Sequence, residues 1–439
     1  MEFMNNIPEA GTKERLVIVG GGFAGLQLAH KINRSKYQVV MIDKNNYYQF
    51  QPLFYQVATA GLDPSSISYP LRKSFQKQQN FHFRMCEALC VHPEENRLDT
   101  TMGSIVYDHL VITIGCDTNF FGNEELRETT FSLKSVSESL LLRNRLLLSF
   151  EEALNEKDEH RLKEMLTFVV IGGGATGVEL AGALADMKKS ILPKDYPELD
   201  FKDLMEIHLV DAAPRLLCGM SEKSSRIAAE TLIKRGVILH QDVAVEAYDK
   251  PYVKLVNGTE LVSQNVLWVA GVTPNKVAGI SEDSYMKGRL LLNDYCQVKG
   301  YDNIYAAGDN SLLISEKTPF GHPQVAQVAL QMAKLIAKNL NGKAKGKKTE
   351  TFSYVDKGSL ATIGCNAAVA DLGKFRFGGR VAWFLWLFVH IMSIVGVRNR
   401  VSVFIDWAWN YFNYDVSLRL YIRPKHSSMY KKETSIKAS

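Results

Sequence analysis

Two glycine-rich turns carry the most specific chemistry in the sequence. Gly20-Gly21-Gly22-Phe23-Ala24-Gly25 and Gly172-Gly173-Gly174-Ala175-Thr176-Gly177 both read GxGxxG. That spacing suits a pyrophosphate: the first glycine permits a tight turn, the second lets backbone approach the phosphates, and the third lets helix pack on strand. A helix opening at such a turn offers unpaired N–H groups and a partial positive charge to an anion. Each turn is followed by a carboxylate at the end of the next apolar strand, Asp43 and Asp211. An acid there accepts hydrogen bonds from ribose hydroxyls and repels a 2′-phosphate. Arg215 stands close enough to Asp211 in sequence to soften that repulsion.

These residues act only if a strand delivers them and a helix follows. Leu16–Val19 reads as an apolar strand, Leu26 to about Ile32 as a helix, and Val39–Ile42 as the strand that ends in Asp43. The pattern recurs as strand Phe168–Ile171, helix Val178 to about Met187, and strand Ile207–Val210 ending in Asp211. The second acid lies farther from its loop, and the excess falls in Leu192–Met205, a polar, proline-bearing insertion. One GxGxxG is a weak signal. Two, each in strand–turn–helix–strand–acid context, point to an internal duplication of a dinucleotide-binding βαβ plan. The expected fold is therefore α/β, with tandem Rossmann-like domains and a C-terminal helical region. Residues 1–140 and 276–350 would build the first nucleotide domain, 141–275 the second, and 351–439 the C-terminal region.

Composition sets outer limits. The chain has 439 residues, 46% hydrophobic and 23% charged, enough for more than one buried core. A net charge of +5 is too small to argue for nucleic acid, and none is expected as a partner. The 6 cysteines include no CxxC pair, which suits a reducing compartment and leaves no neighbouring dithiol to relay electrons. No metal site is expected. The first residues lack a basic stretch followed by an apolar one, so no secretory signal is expected.

Three further segments complete a pattern: Tyr48-Gln49-Phe50-Gln51-Pro52-Leu53-Phe54-Tyr55-Gln56-Val57-Ala58-Thr59-Ala60, Ile304-Tyr305-Ala306-Ala307-Gly308-Asp309, and Pro323-Gln324-Val325-Ala326-Gln327-Val328-Ala329-Leu330-Gln331. With the second glycine loop and its sequel Val178-Glu179-Leu180-Ala181, they resemble the type II, non-proton-pumping NADH:quinone oxidoreductases, from about Leu16 to the C-terminal region. The resemblance implies FAD at the first loop, NADH at the second and a quinone as acceptor. It places Gly20, Gly22, Phe23, Ala24, Gly25, Asp43, Lys44, Thr113, Gly115, Gly308, Asp309, Gln327 and Val328 at the flavin, with Asp309 on its ribityl chain. Gly172, Gly174, Thr176, Gly177, Asp211, Ala270 and Gly271 fall to NADH. It further implies that Glu179 points at nicotinamide and flavin, that Gln327 and Gln331 line the quinone pocket from one helix face, and that Lys357 comes near flavin and quinone. Two positions depart from the family pattern: Ala175 stands where proline is usual, and Asp211 where glutamate is often found. The shorter acid reaches less far toward the adenosine ribose.

Beyond Phe377 the composition changes. Val381–Val397 is apolar but for His390, Ser393 and Gly396, and would span about 25 Å as a helix, short of a membrane crossing. Trp383, Trp386, Trp407 and Trp409, then Tyr411, Tyr414 and Tyr421, stand beside Arg398, Arg400, Arg419, Arg423 and Lys425. Aromatic rings favour the headgroup layer and arginines attract anionic lipid. The expectation is a monotopic protein lying on an anionic membrane surface, at the cytoplasmic face of a bacterial inner membrane, and the family resemblance implies a homodimer formed through the same region. Rival readings are a reductase serving a ferredoxin-like protein, sulfide:quinone chemistry, which needs more reactive cysteines than Cys365 alone, and a nucleotide-binding protein that is not an enzyme.

Overall fold

A computed structural model describes residues 3–316, 318–343, 345–413 and 418–422. Tyr414, Arg423 and Lys425 lie outside the described residues.

Two parallel sheets repeat one topology. In the first, strands Phe81–Met85, Tyr37–Asp43, Glu14–Val19 and His109–Ile112 lie side by side in that order, and Ile304–Ala306 adds a further parallel strand. In the second, Val237–Gln241, Glu206–Asp211, Thr167–Ile171 and Asn265–Trp268 take the same places. The central strands are near-continuous apolar runs, as sheets covered on both faces require: Leu16, Val17 and Ile18 are fully buried, as are Phe168, Val169 and Val170. In each sheet the chain leaves the central strand toward one side while the fourth strand lies on the other. That reversal opens a crevice at the strands' carboxyl ends, where both glycine loops sit.

Both loop helices start earlier than the apolar pattern suggests, at Phe23 and Ala175, because a glycine rather than a capping side chain precedes each. The expected boundary at 140 falls within one helix, Val136–Ala153. The insertion after the second loop helix folds into two short helices, Leu192–Asp195 and Phe201–Leu204. Arg419, expected to face lipid, forks onto Asp195 of that insertion at 2.5 and 3.1 Å.

The last described part is a three-stranded antiparallel sheet, Ser359–Thr362, Ala368–Leu372 and Phe375–Gly378, followed by two helices. The expected single apolar helix over Val381–Val397 is corrected to two, Arg380–Ser393 and Val397–Asn413. The break is at Gly396, whose positive φ of +89° and contact with the Tyr69 ring leave no room for a side chain. No helix among the described residues is long and apolar enough to cross a membrane.

The C-terminal part is sewn onto the second loop helix, Ala175–Ser190. Gly182 lets the backbone of Ile363 and Gly364 pack so closely that any Cβ there would overlap it. One turn further, Asp186 accepts from the Cys365 N–H at 2.6 Å and pairs with Arg235, which also donates to the Cys365 carbonyl.

Candidate functional site

The two loops are built on the same plan. Gly20 N–H donates to the Ile42 carbonyl at 2.7 Å, and Gly172 N–H to Val210 at 2.8 Å. A side chain on Gly20 would strike the Thr113 carbonyl, and one on Gly172 the backbone of Val269. Gly25 and Gly177 press on the carbonyls of Gly20 and Gly172 in the same way, so both are packing glycines. Gly22 and Gly174 face open space within 4 Å. The first and third glycines therefore shape each turn, and the second leaves room for a phosphate against the helix end.

The strand-end acids brace these turns. Asp43 accepts from Gly21 N–H at 2.6 Å and Asn45 N–H at 2.7 Å; Asp211 accepts from Gly173 N–H at 2.7 Å and Ala213 N–H at 3.0 Å. Burial raises the Asp43 carboxyl above its usual range, against the pull of those two donors. Arg215 is committed elsewhere: its guanidinium donates to the carbonyls of Met220 and Cys218, both at 3.0 Å.

A cleft of about 660 Å³ opens beside the first loop. Its walls include Gly20, Gly22, Phe23, Ala24, Asp43, Lys44, Thr113, Gly115, Gly308 and Asp309, all expected there from the sequence. Asp309 accepts a hydrogen bond from the Cys116 thiol at 2.9 Å, and its carbonyl accepts from the Gln324 amide at 2.8 Å. Buried Asn310 holds the neighbouring turn, accepting from Gly115 N–H and donating to Ile112, both at 3.2 Å. Sequence reasoning missed Cys86, Glu87, Lys134 and Lys276 in the walls, because loops far apart in the chain bring them in. Burial, with Asp309 beside it, pushes the Cys116 thiol up to about 12, so it stays protonated and unreactive. Cys365 is likewise raised, to about 11.

Glu179 lies in the second loop helix and is buried. Thr362 N–H donates to it at 3.3 Å. The Trp386 indole N–H, buried without a hydrogen bond of normal geometry, lies near enough to favour its ionised form. Burial outweighs both and raises the carboxyl to about 8. Such a group gains and loses a proton near neutrality, as proton-managing chemistry requires. Next to it is a cavity of about 180 Å³ walled by Tyr55, Thr362, Trp383, Trp386, Trp407 and Tyr411, with Asp186 and Cys365 at its edge. His390 stacks on Trp386 at 3.8 Å and donates from Nδ1 to the Trp386 carbonyl at 2.8 Å; burial lowers it to about 4. The rings expected at the headgroup layer thus divide: Trp383, Trp386 and Trp407 are buried, while Trp409 is 57% exposed.

Three expected site groups have their polar atoms engaged, or lie, outside the two cavities. Gln327 and Gln331 do share one face of the Ala326–Lys343 helix, but their amides are taken by backbone. Gln327 donates to the Gly358 carbonyl at 2.8 Å and accepts from Lys357 N–H at 3.1 Å; Gln331 pairs in the same manner with Val355. Val328 is buried with its N–H on the Val325 carbonyl, and neither it nor Gln327 lines the cleft. The Lys357 side chain is exposed and borders neither cavity.

Comparison with known proteins agrees with this geometry. Residues 14–333 match the family described as pyridine nucleotide-disulphide oxidoreductase, and 357–413 the NDH2 C-terminal domain. The type II NADH:quinone oxidoreductase Ndh of Mycobacterium tuberculosis is 33% identical over 90% of this chain and 87% of its own. The type II NADH:quinone oxidoreductase of Staphylococcus aureus is 28% identical over 86% of this chain and 94% of its own. The solved structure of NDH2 from Plasmodium falciparum in complex with NADH superposes with a TM-score of 0.85 at 21% identity, covering 94% of this chain and all of that one.

Proposed function

The chain belongs to the type II NADH:quinone oxidoreductases, and from that premise we propose how its own residues share the work. The enzyme oxidises NADH and reduces a quinone, with FAD as its cofactor. Bound flavin supplies the chemistry of accepting two electrons from a nicotinamide and delivering them to a quinone.

The first-loop cleft fits FAD. Gly22 leaves the space a pyrophosphate needs, Asp43 and Lys44 stand where the adenosine ribose would lie, and Asp309 offers a carboxylate to ribityl hydroxyls. The second loop fits NADH by the same logic, through Gly174, Thr176, Asp211, Ala270 and Gly271. Asp211 carries the preference for NADH over NADPH, since Arg215 is held by its own loop and does not offer itself to a 2′-phosphate. Glu179 holds or releases a proton as the quinone is reduced. Gln327 and Gln331 act by bracing the wall at 355–358, and Lys357 serves that wall through its backbone N–H.

The C-terminal helices present the surface for the membrane. Val381, Phe384, Phe388 and Met392 on one helix, and Val401, Phe404, Ile405, Trp409 and Phe412 on the next, leave a broad apolar face exposed, with Arg380 and Arg398 also exposed on these helices. That pattern supports a monotopic protein on an anionic lipid surface, which we assign to the cytoplasmic face of a bacterial inner membrane. A homodimer would use part of the same face.

The duplicated loop-and-acid geometry, Gly21 on Asp43 and Gly173 on Asp211, is the observation that carries this reading. Proteoliposomes holding purified protein and a quinone test it. NADH should be oxidised in step with quinone reduction, and a trapped pH dye should report no acidification driven by turnover. Oxidation that proceeds equally without quinone would refute the assignment of acceptor.

A further inference from the structure

A line of hydrogen bonds joins the buried carboxyl of Glu179 to a helix of the membrane-facing pair, and its polarity is fixed at one end. The Trp407 indole N–H donates to the Gln56 amide oxygen at 2.7 Å. An indole nitrogen only donates, so the amide must turn its NH₂ the other way, where it donates to the Tyr55 hydroxyl at 2.9 Å. The Tyr55 hydroxyl shares a hydrogen bond with the Thr362 hydroxyl at 3.2 Å, in which either oxygen can donate. Thr362 in turn gives its backbone N–H to Glu179. Tyr55, Thr362 and Trp407 are buried, while Gln56 is half-buried and borders, with them, the cavity of about 180 Å³.

We propose that Tyr55, Gln56 and Trp407 are positioning residues that hold Thr362 against Glu179, so that seating of the Val397–Asn413 helix sets how firmly that carboxyl is held. The proposal rests on the functional reading above and adds three residues to it. The line orients a donor toward Glu179 and therefore favours the carboxylate over the acid. Other groups that face this region are Asp186 on the same helix, paired with Arg235, Cys365 after the Ser359–Thr362 strand, and Trp386 and His390 on the Arg380–Ser393 helix. None of these belongs to the line.

Infrared titration of the flavin-loaded, full-length protein reads the carboxyl directly, as the protonated-carboxyl band that Glu179→Gln removes. Tyr55→Phe and Trp407→Phe keep ring bulk and delete one link each. Either should raise the midpoint of that band by about half a pH unit to one unit, the size of one neutral hydrogen bond. The double variant should shift no further than the larger single one, because links in series fail together. Trp383→Phe, in the same aromatic cluster but outside the line, should leave the midpoint in place. Gln56→Leu gives the same reading if either aromatic variant loses flavin. Midpoints unmoved in all link variants, additive shifts, or an equal shift in Trp383→Phe would overturn the proposal. Absence of NADH:quinone activity in the unaltered protein would instead refute the functional reading, and the midpoint comparison would be unaffected.

Discussion

The side-chain amide of Gln331 and the backbone of Val355 exchange two hydrogen bonds, 2.9 Å from amide to carbonyl and 3.0 Å from N–H to amide oxygen. One turn earlier, Gln327 makes the equivalent pair with Gly358 and Lys357. A side chain that satisfies a backbone donor and acceptor together behaves like one rung of a sheet, so this helix face holds the 355–358 segment as a wall.

Gln331→Leu removes one such rung. The site is partly exposed, so the expected loss of stability is about 1–2 kcal/mol. Amide exchange at Val355–Gly358 should speed while the rate of flavin reduction by NADH, measured without quinone, is kept. Exchange mass spectra that match the unaltered protein would show that the glutamine does not hold this wall.

Nucleotide choice follows from Asp211 together with Arg215. NADH should exceed NADPH in kcat/KM by roughly tenfold or more, about 1.4 kcal/mol. Asp211→Ala should lower the NADH value more than the NADPH value, since the carboxylate that repels a 2′-phosphate is gone and Gly173 N–H loses its acceptor in both cases. Equal kcat/KM for the two nucleotides in the unaltered enzyme would contradict the assignment.

The buried Glu179 carboxyl gives stability a signed pH dependence. Its folded value, about 8, lies above the ordinary 4.5, so the folded state binds the extra proton between those limits. This contribution is complete below about pH 4.5 and is lost as pH rises through 8. His390 acts in the opposite sense: lowered from 6.5 to about 4, it withdraws stability as pH falls through that window. The two oppose each other below pH 6.5, so between about 6.5 and 8 the slope belongs to Glu179 among this pair. Melting temperature should fall across that interval, and Glu179→Gln should flatten the fall. An unchanged slope in the variant would mean that Glu179 is already ionised in the folded protein.

Membrane attachment is best tested by point substitution. Deleting the C-terminal helices would uncover the core, because Trp386 is fully buried and Asn399 donates to Ser68 at 2.8 Å. Phe388→Glu with Phe404→Glu places two charges on exposed positions, 63% and 59% accessible. Sedimentation with anionic vesicles should drop severalfold while turnover with a short-chain, water-soluble quinone persists. Undiminished pelleting would place the attachment elsewhere.

Much of the nucleotide-binding architecture was legible in the sequence. The duplicated strand–loop–helix–acid pattern located Gly20 to Asp43 and Gly172 to Asp211, because phosphate binding demands glycine at fixed offsets. What escaped depends on partners distant in the chain. Gln327 and Gln331 read as pocket amides because their partners at 355–358 are backbone groups, which no side-chain pattern marks. Trp386 and Trp407 read as headgroup anchors because nothing local reveals that Tyr55 and Gln56 receive them. The start of each loop helix was misplaced because Gly22 and Gly174 cap it without a side chain. The break at Gly396 depends on Tyr69, which the local apolar run does not show.

The most direct test is the visible spectrum of the purified protein under anaerobic conditions, first alone, then with NADH, then with quinone. Flavin bands near one equivalent per chain should bleach on addition of about one equivalent of NADH and return when quinone is added. A folded protein that carries no flavin, or flavin that NADH does not bleach, would contradict the account at its centre.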